Sequence, residues 1–244
     1  MEKDIKVSIG IQARSASTRL PGKISRFIGN RTVLERVIDA CEGCASYINR
    51  YSFSNHIHCG VFILVPENDP VISQLRCDVE KIIEGDENDV LSRYIKMADE
   101  TKADFIVRVT ADCPLIPHHV IFKAINVAVK NGLDYVSNVA DRKEEMRTSI
   151  DGHDVEVLSR KALDWIADNS TPDSREHITS HLRDISPPAG LRVGGLFGHV
   201  DMSKTKLSLD TEEDFERICE QYESLERKMS EFKRKFGKNS VFRF

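Results

Sequence analysis

The chain has 244 residues, 40% of them hydrophobic and 30% charged, with a formal net charge of −4. A length of this order suits one α/β domain over residues 1–244, with its core over about 5–225 and a helical basic tail over 226–244. The negative balance argues against nucleic acid or an anionic membrane as partner. No apolar run reaches the roughly 20 residues that a membrane-spanning helix needs. With no signal-like apolar stretch after Met1, the expected compartment is the cytoplasm.

Residues 5–11 are β-branched at strand spacing, which predicts a first strand. A polar loop follows from Gln12 to Lys23, and then a helix over 32–44, with Thr32 and Glu35 set as a capping box. Residues 46–58 show no period and read as a loop. The apolar run 59–65 is that of a strand covered on both faces. A short helix to about residue 79, a brief strand over 81–84 and a helix over 86–102 come next. Another buried strand covers 104–109 and ends in the loop Thr110-Ala-Asp-Cys-Pro114. Beyond it the pattern gives a helix over 117–130, strands over 133–136 and 154–158, and helices over 160–169 and 174–184. A Gly-rich edge strand over 191–200 and a short strand over 206–209 follow. Thr211 caps a charged last helix. Strands alternating with helices predict a doubly wound, mostly parallel mixed sheet with helices on both faces, and such sheets bind ligands beyond the carboxyl ends of their strands.

Of the six cysteines, Cys41 and Cys44 form a C-x-x-C. That spacing serves zinc or redox chemistry, but no second pair completes a four-ligand site. Cys41 falls on the apolar rhythm of its helix, so buried free thiols are expected, without disulfides in a reducing compartment.

The loop 12–23 places Arg14, Arg19 and Lys23 among small residues directly after a buried strand. Small residues let backbone N–H groups approach an anion, and fixed cations neutralise it, so the loop suits a triphosphate. It is neither a Walker loop nor a dinucleotide-binding glycine turn. Asp112 and Asp210 each follow a predicted strand. Two carboxylates with phosphate oxygens and water make a magnesium shell, although either aspartate alone also serves as a turn former or helix cap.

These segments resemble the cytidylyltransferases that make CMP-activated acidic sugars, the ketodeoxyoctonate synthetases and, closer still, the SpsF-type spore-coat polysaccharide proteins. The signature is Gln12-Ala-Arg-Ser-Ala-Ser-Thr-Arg-Leu-Pro-Gly-Lys23. Further matches follow in order: Glu84-Gly-Asp-Glu-Asn-Asp-Val-Leu-Ser-Arg-Tyr94, Arg108-Val-Thr-Ala-Asp-Cys-Pro-Leu-Ile116, Asp151-Gly-His-Asp-Val-Glu-Val157, Arg175-Glu-His-Ile-Thr179 and Leu207-Ser-Leu-Asp-Thr-Glu-Glu-Asp214. The resemblance implies the Rossmann-like fold of nucleotide-diphospho-sugar transferases. It implies CTP held by Arg14, Ser17, Arg19 and Lys23, with the backbone around Ile11, Gln12 and Ala13 and the segment near Gly85 and Asp86 bordering the base. Mg2+ would be held by Asp112 and Asp210, and a sugar-like acceptor would be faced by Asp154, Glu156 and His177.

Read from residues alone, Asp154 and Glu156 have one parity along a strand and also fit its solvent face, and His177 also fits a helix surface. Cys113 has no identifiable activating base, so no nucleophilic role is assigned to it. Ala111 stands where related proteins usually have glycine, which would strain a positive-φ position. Related enzymes are often dimers, and residues 191–200 would serve either as an interface or as a buried edge strand. The implied reaction is transfer of CMP from CTP to a sugar or sugar acid with release of pyrophosphate, in glycan biosynthesis. The rivals are a polyol phosphate or phosphonate acceptor, a glycosyltransferase, and a non-catalytic nucleotide-binding protein. Asp112-Cys113-Pro114 is not the Asp-x-Asp of the glycosyltransferases.

Overall fold

A computed structural model describes residues 4–51, 56–71, 82–139, 147–183 and 188–236. In chain order its main elements are β1 (Ile5–Gln12), the short strands β2 (Phe27–Ile28) and β3 (Arg31–Thr32), α1 (Val33–Tyr51), β4 (Ile57–Pro66), β5 (Ile82–Gly85), α2 (Val90–Thr101), β6 (Phe105–Thr110) and α3 (His118–Asn131). β7 (Tyr135–Ser137), β8 (Glu156–Ser159), α4 (Arg160–Asn169), β9 (Val193–Gly195) and α5 (Glu212–Phe236) complete it. Seven strands form one sheet in the order β5-β4-β1-β6-β8-β7-β9. Only β8 runs against its neighbours. The doubly wound, mostly parallel sheet expected from the alternation of elements is therefore present.

β1 lies at the centre, and its period of two serves two different helix layers. Val7, Ile9 and Ile11 face α1 and α3. The alternate residues face α2, where Ser8 Oγ donates to Thr101 Oγ1 at 3.0 Å. A Cβ at Gly10 would lie 2.7 Å from the Tyr94 ring, so only glycine admits that ring, whose hydroxyl donates to the Gly10 carbonyl. On the α2 side, Leu64, Ile106, Tyr135 and Leu158 meet apolar residues of α2 and α4. Each such fully buried aliphatic side chain stabilises the fold by roughly 1.5–3 kcal/mol.

The helix ends follow their chemistry. The Thr32 N–H donates to Glu35 and the Glu35 N–H donates to Thr32 Oγ1, the reciprocal box that starts α1. Asp89 accepts the Ser92 N–H at 2.9 Å to start α2, and Asp214 and Thr211 exchange the same pair of bonds at α5. The first turns of α5 pack Phe215, Ile218 and Tyr222 on Leu20, Ile28 and Val33. Arg26 clamps Glu212 with two bonds of 2.6 and 2.7 Å.

Several elements differ from expectation. Residues 46–51 are not loop but the last turns of α1, where Ile48 is buried and the Tyr47 ring meets Phe122 edge-on at 5.0 Å. The helix expected over 174–184 is replaced by two short 3-10 turns, Pro172–Arg175 and Ser180–Leu182. Residues 206–209 contribute only one bridge, between Asp151 and Lys206. β8 begins at Glu156, not at residue 154. The strand expected over 191–200 is only β9, at the sheet edge, and Phe197 and Val200 beyond it are exposed. α5 continues through residue 236, so no break separates the basic residues after 225 from the helix before them. The short helix expected toward residue 79, Lys81 of the brief strand and residues 237–244 lie outside the described residues.

Cys41, Cys44, Cys59, Cys113 and Cys219 are free thiols, while Cys77 lies outside the described residues. Burial pushes the Cys59 thiol up to about 12, and those of Cys41 and Cys44 higher still. Among the described residues no helix is long and apolar enough to cross a membrane.

Candidate active site

The strand order reverses between β1 and β6, so the loops that leave their carboxyl ends diverge and open a crevice. The Ala13 N–H donates to the Leu64 carbonyl and the Ala111 N–H to the Gln12 carbonyl, both at 3.0 Å. Asp69, buried beyond β4, accepts the Ser15 N–H at 2.9 Å and the Ser15 hydroxyl. Leu20 and Ile24 are buried further along. The cationic loop is thus pinned on both sides of Arg14 and Arg19.

The Lys23 ammonium donates to Asp112 Oδ2 and to the Leu209 carbonyl, both at 2.8 Å, and stands 3.7 Å from Asp210 Oδ1. Arg19 reaches the same Asp210 oxygen at 3.0 Å, and Arg14 lies 3.5 Å from Glu176. The Leu209 N–H donates to the Asp112 carbonyl at 2.9 Å, which ties the last loop to the one after β6. Burial pushes the Asp112 carboxyl up, but the charge and hydrogen bond of Lys23 outweigh it, and its pKa falls below the usual range. Two carboxylates converging on one cation are a hard oxygen donor set. With phosphate oxygens and water they fit a divalent ion such as Mg2+.

Gln12, Ala13, Arg14, Ser17, Arg19, Lys23, Asp112, His177 and Asp210 line one cleft of about 340 Å³. The Ile11 side chain is fully buried beneath α1 and α3, so only the backbone of that residue is directed to the role expected of it. Gly85 and Asp86 do not border the cleft. Asp86 instead accepts the N–H groups of Asn88 and Asp89, closing the turn before α2, and the wall there is built by Glu87, Val90 and Arg93. A second cavity of about 430 Å³ shares Arg108, Thr110, Asp112, His177 and Asp210 with the first and adds Asp154 and Arg183. His177 therefore stands between the two. Arg147 holds Asp154 at 2.5 Å, yet burial keeps that carboxyl up at about 6.

Glu156 is not a solvent-face residue and does not line either cavity. It is 1% exposed and accepts bonds from Arg108 at 2.7 Å, Arg183 at 2.9 Å and the Tyr135 hydroxyl at 2.6 Å. Burial raises its pKa, but the two guanidiniums more than reverse this and hold it at about 2. One carboxylate thus neutralises one of two arginines, and the second cavity carries both guanidiniums beside four aspartates, Asp112, Asp151, Asp154 and Asp210. Sequence reasoning missed Arg108 and Arg183. The available signal was an arginine inside the apolar strand 105–109 facing an acidic residue in another strand: Arg108 and Glu156 are direct register partners.

Ala111 is unstrained, because Asn68 and Lys102 are the only non-glycine residues with positive φ among those described. Cys113 is buried, and that burial pushes its thiol well above the usual range, away from nucleophile chemistry.

A parallel sheet with a cationic loop at its switch point, two acidic side chains beside it and an adjoining second cavity is the architecture of a nucleotidyltransferase. The chain belongs to the cytidylyltransferase family, whose model matches residues 9–243. It is 26% identical over 219 residues to the spore coat polysaccharide biosynthesis protein SpsF of Bacillus subtilis, covering 87% of this chain and 85% of that one. A cytidylyltransferase structure from Leptospira borgpetersenii is 25% identical, with a TM-score of 0.74 over 98% of this chain and all of the other. CMP:2-keto-3-deoxy-manno-octonic acid synthetase in complex with CTP shares the fold at a TM-score of 0.63 and 15% identity, over 90% of this chain and 99% of that one.

Proposed function

We propose that this chain transfers CMP from CTP to a sugar or sugar-acid acceptor with release of pyrophosphate, in glycan biosynthesis in the cytoplasm. The observation that carries the reading is the junction of the two cavities at Asp112 and Asp210, directly beside the cationic loop. CTP occupies the first cavity in this reading. Arg14, Arg19 and Lys23 hold its phosphates and neutralise the charge that gathers on the departing pyrophosphate. Lys23, a compact charge on a flexible stem, follows that charge more readily than an arginine does. Asp112 and Asp210 hold Mg2+, which when bound supplies further charge neutralisation at the phosphate oxygens. The acceptor occupies the second cavity, where Asp154 and His177 accept and donate hydrogen bonds to its hydroxyls. Arg183, with Arg108 behind it, favours an acceptor that carries an acidic group. Holding the attacking hydroxyl in line with the α-phosphorus is the main contribution of the protein.

The test is pyrophosphate release with each nucleoside triphosphate and Mg2+ against sugar acids, neutral sugars, polyol phosphates and phosphonates. Turnover is expected with CTP and an acidic sugar, and Asp112→Asn should remove it while leaving the melting temperature within a few degrees. Release from another triphosphate in preference to CTP, or no nucleotide binding at all, would overturn the proposal.

A further inference from the structure

Asp210 is crowded by cations. Arg19 stands 3.0 Å and Lys23 3.7 Å from its Oδ1, and Lys206 stands 3.4 Å from its Oδ2. A carboxylate beside three cations is a weak ligand for a divalent ion, because each of them offsets the charge that the ion would use. Two of the three have another destination. Arg19 and Lys23 line the nucleotide cleft, where the oxygens of a triphosphate would draw them. Lys206 lines neither cavity, so a nucleotide has no means of drawing it off Asp210.

Asp214 supplies that pull. It lies in the first turn of α5 and is only 4% exposed. Its Oδ2 accepts the Lys206 ammonium at 2.7 Å, against 3.4 Å from that ammonium to Asp210. The same oxygen accepts the N–H groups of Asp210 at 3.1 Å and Thr211 at 3.0 Å. Arg217 closes the arrangement from the other side, donating from Nη2 to Asp214 Oδ1 and from Nε to the Lys206 carbonyl at 3.0 Å. The bridge between Asp151 and Lys206 holds the same backbone. Accepting the two N–H groups at a helix start needs only a neutral oxygen; the charge of Asp214 answers Lys206 and Arg217 as well.

We infer that Asp214 is a positioning residue for the metal site: it fixes the backbone of Asp210 and takes the Lys206 ammonium for itself, which leaves the Asp210 carboxylate free to serve a divalent ion. The inference rests on the reading of Asp112 and Asp210 as metal ligands and extends it to a residue outside both cavities.

The test measures Mn2+ binding to the CTP complex, from the electron paramagnetic resonance signal of the free ion, for the wild type, Asp214→Asn, Lys206→Met and the double variant. Binding of CTP in EDTA is the control and should be the same in all four. Asp214→Asn keeps an acceptor for the N–H groups but returns Lys206 to Asp210. Its Mn2+ binding should fall about 10- to 100-fold, the range typical of a lost partner behind a metal ligand. Lys206→Met removes the competing charge and should bind Mn2+ at least as tightly as the wild type, and the double variant should recover most of the loss. A double variant as weak as Asp214→Asn would make Asp214 a plain helix cap and overturn the inference, as would unchanged Mn2+ binding in Asp214→Asn. Weaker binding in Lys206→Met would overturn it even if Asp214→Asn failed to fold. A wild-type CTP complex that binds no Mn2+ defeats the reading of Asp112 and Asp210 as metal ligands itself.

Discussion

Replacing Glu156 with Gln keeps the shape and one acceptor but removes the charge that Arg108, Arg183 and Tyr135 surround. Two routes give the magnitude. Breaking a buried ion pair by removing one partner costs about 3–5 kcal/mol, because the other charge stays buried. Independently, a carboxyl that moves from an ordinary 4.5 to about 2 on folding contributes roughly 3 kcal/mol at neutral pH. At 1% exposure, solvent screening removes little of it. For a chain of this length that corresponds to a fall in melting temperature of roughly 6–20 °C. The pH dependence has a definite sign. Because the folded pKa is depressed, the contribution is present above the unfolded carboxyl's pKa and is lost as pH falls from about 4.5 toward 2. Chemical denaturation of wild type and Glu156→Gln from pH 3 to pH 8 would measure both effects. The variant should lose stability at pH 7 and narrow its gap to the wild type as pH falls below 4.5. A variant as stable as the wild type at pH 7, or a gap independent of pH, would refute the assignment of Glu156 as the counter-ion.

Asp69→Ala frees the Ser15 N–H and hydroxyl and the Val71 N–H, so the cationic loop loses its tether. KM for CTP should rise by about 10-fold or more, with a stability loss of roughly 1.5–3 kcal/mol. Unchanged KM would show that the tether does not position the loop. Asp154, held up at about 6 by burial against the pull of Arg147, takes up a proton as pH falls through that value. Acceptor KM should therefore rise below pH 6 at constant CTP affinity, and Asp154→Asn should flatten the profile. Gly152 has φ +103°, and a Cβ there would lie 2.4 Å from the Leu207 carbonyl carbon. Gly152→Ala should displace the segment leading to Asp210, destabilise the fold by about 1–3 kcal/mol or more, and abolish turnover in protein that stays folded; a crystal structure with Asp210 in place would contradict this.

The sheet and the cationic loop were legible in the sequence because both rest on local chemistry. Apolar runs at strand spacing, the Thr32 and Glu35 box and the cluster of Arg14, Arg19 and Lys23 all declare themselves within a few residues. What escaped depends on partners distant in sequence. Arg175, Thr179 and Arg183 recur at a helical spacing of four, yet Arg175 is drawn to Asp89 while Arg183 is drawn to Glu156. That divergence replaces a helix with two short turns. Residues 46–51 look like loop until Phe122 of α3 is there to cover Tyr47. The parity of Glu156 identified its face of the strand but not whether that face met water. Asp86 was named from the resemblance alone, and its acceptance of the Asn88 and Asp89 N–H groups depends on the turn that precedes α2. Arg93, inside an amphipathic helix, gave no sign that it would lie buried.

The central position of β1 also has a consequence for biosynthesis. Its two neighbours in the sheet, residues 57–66 and 105–110, are both translated after it. The apolar strand therefore leaves the ribosome with no edge to join. At the usual pace of about 5–20 residues per second, Asp210 follows Lys23 by on the order of ten seconds or more. In the later part of that interval, once Asp112 has been made, the phosphate loop still lacks the Leu209 carbonyl and Asp210, which complete the lysine's shell. A chain stalled in this window would carry most of the sheet and an unfinished site, so chaperone capture of nascent chains should be strongest before β6 emerges and should decline before activity is acquired.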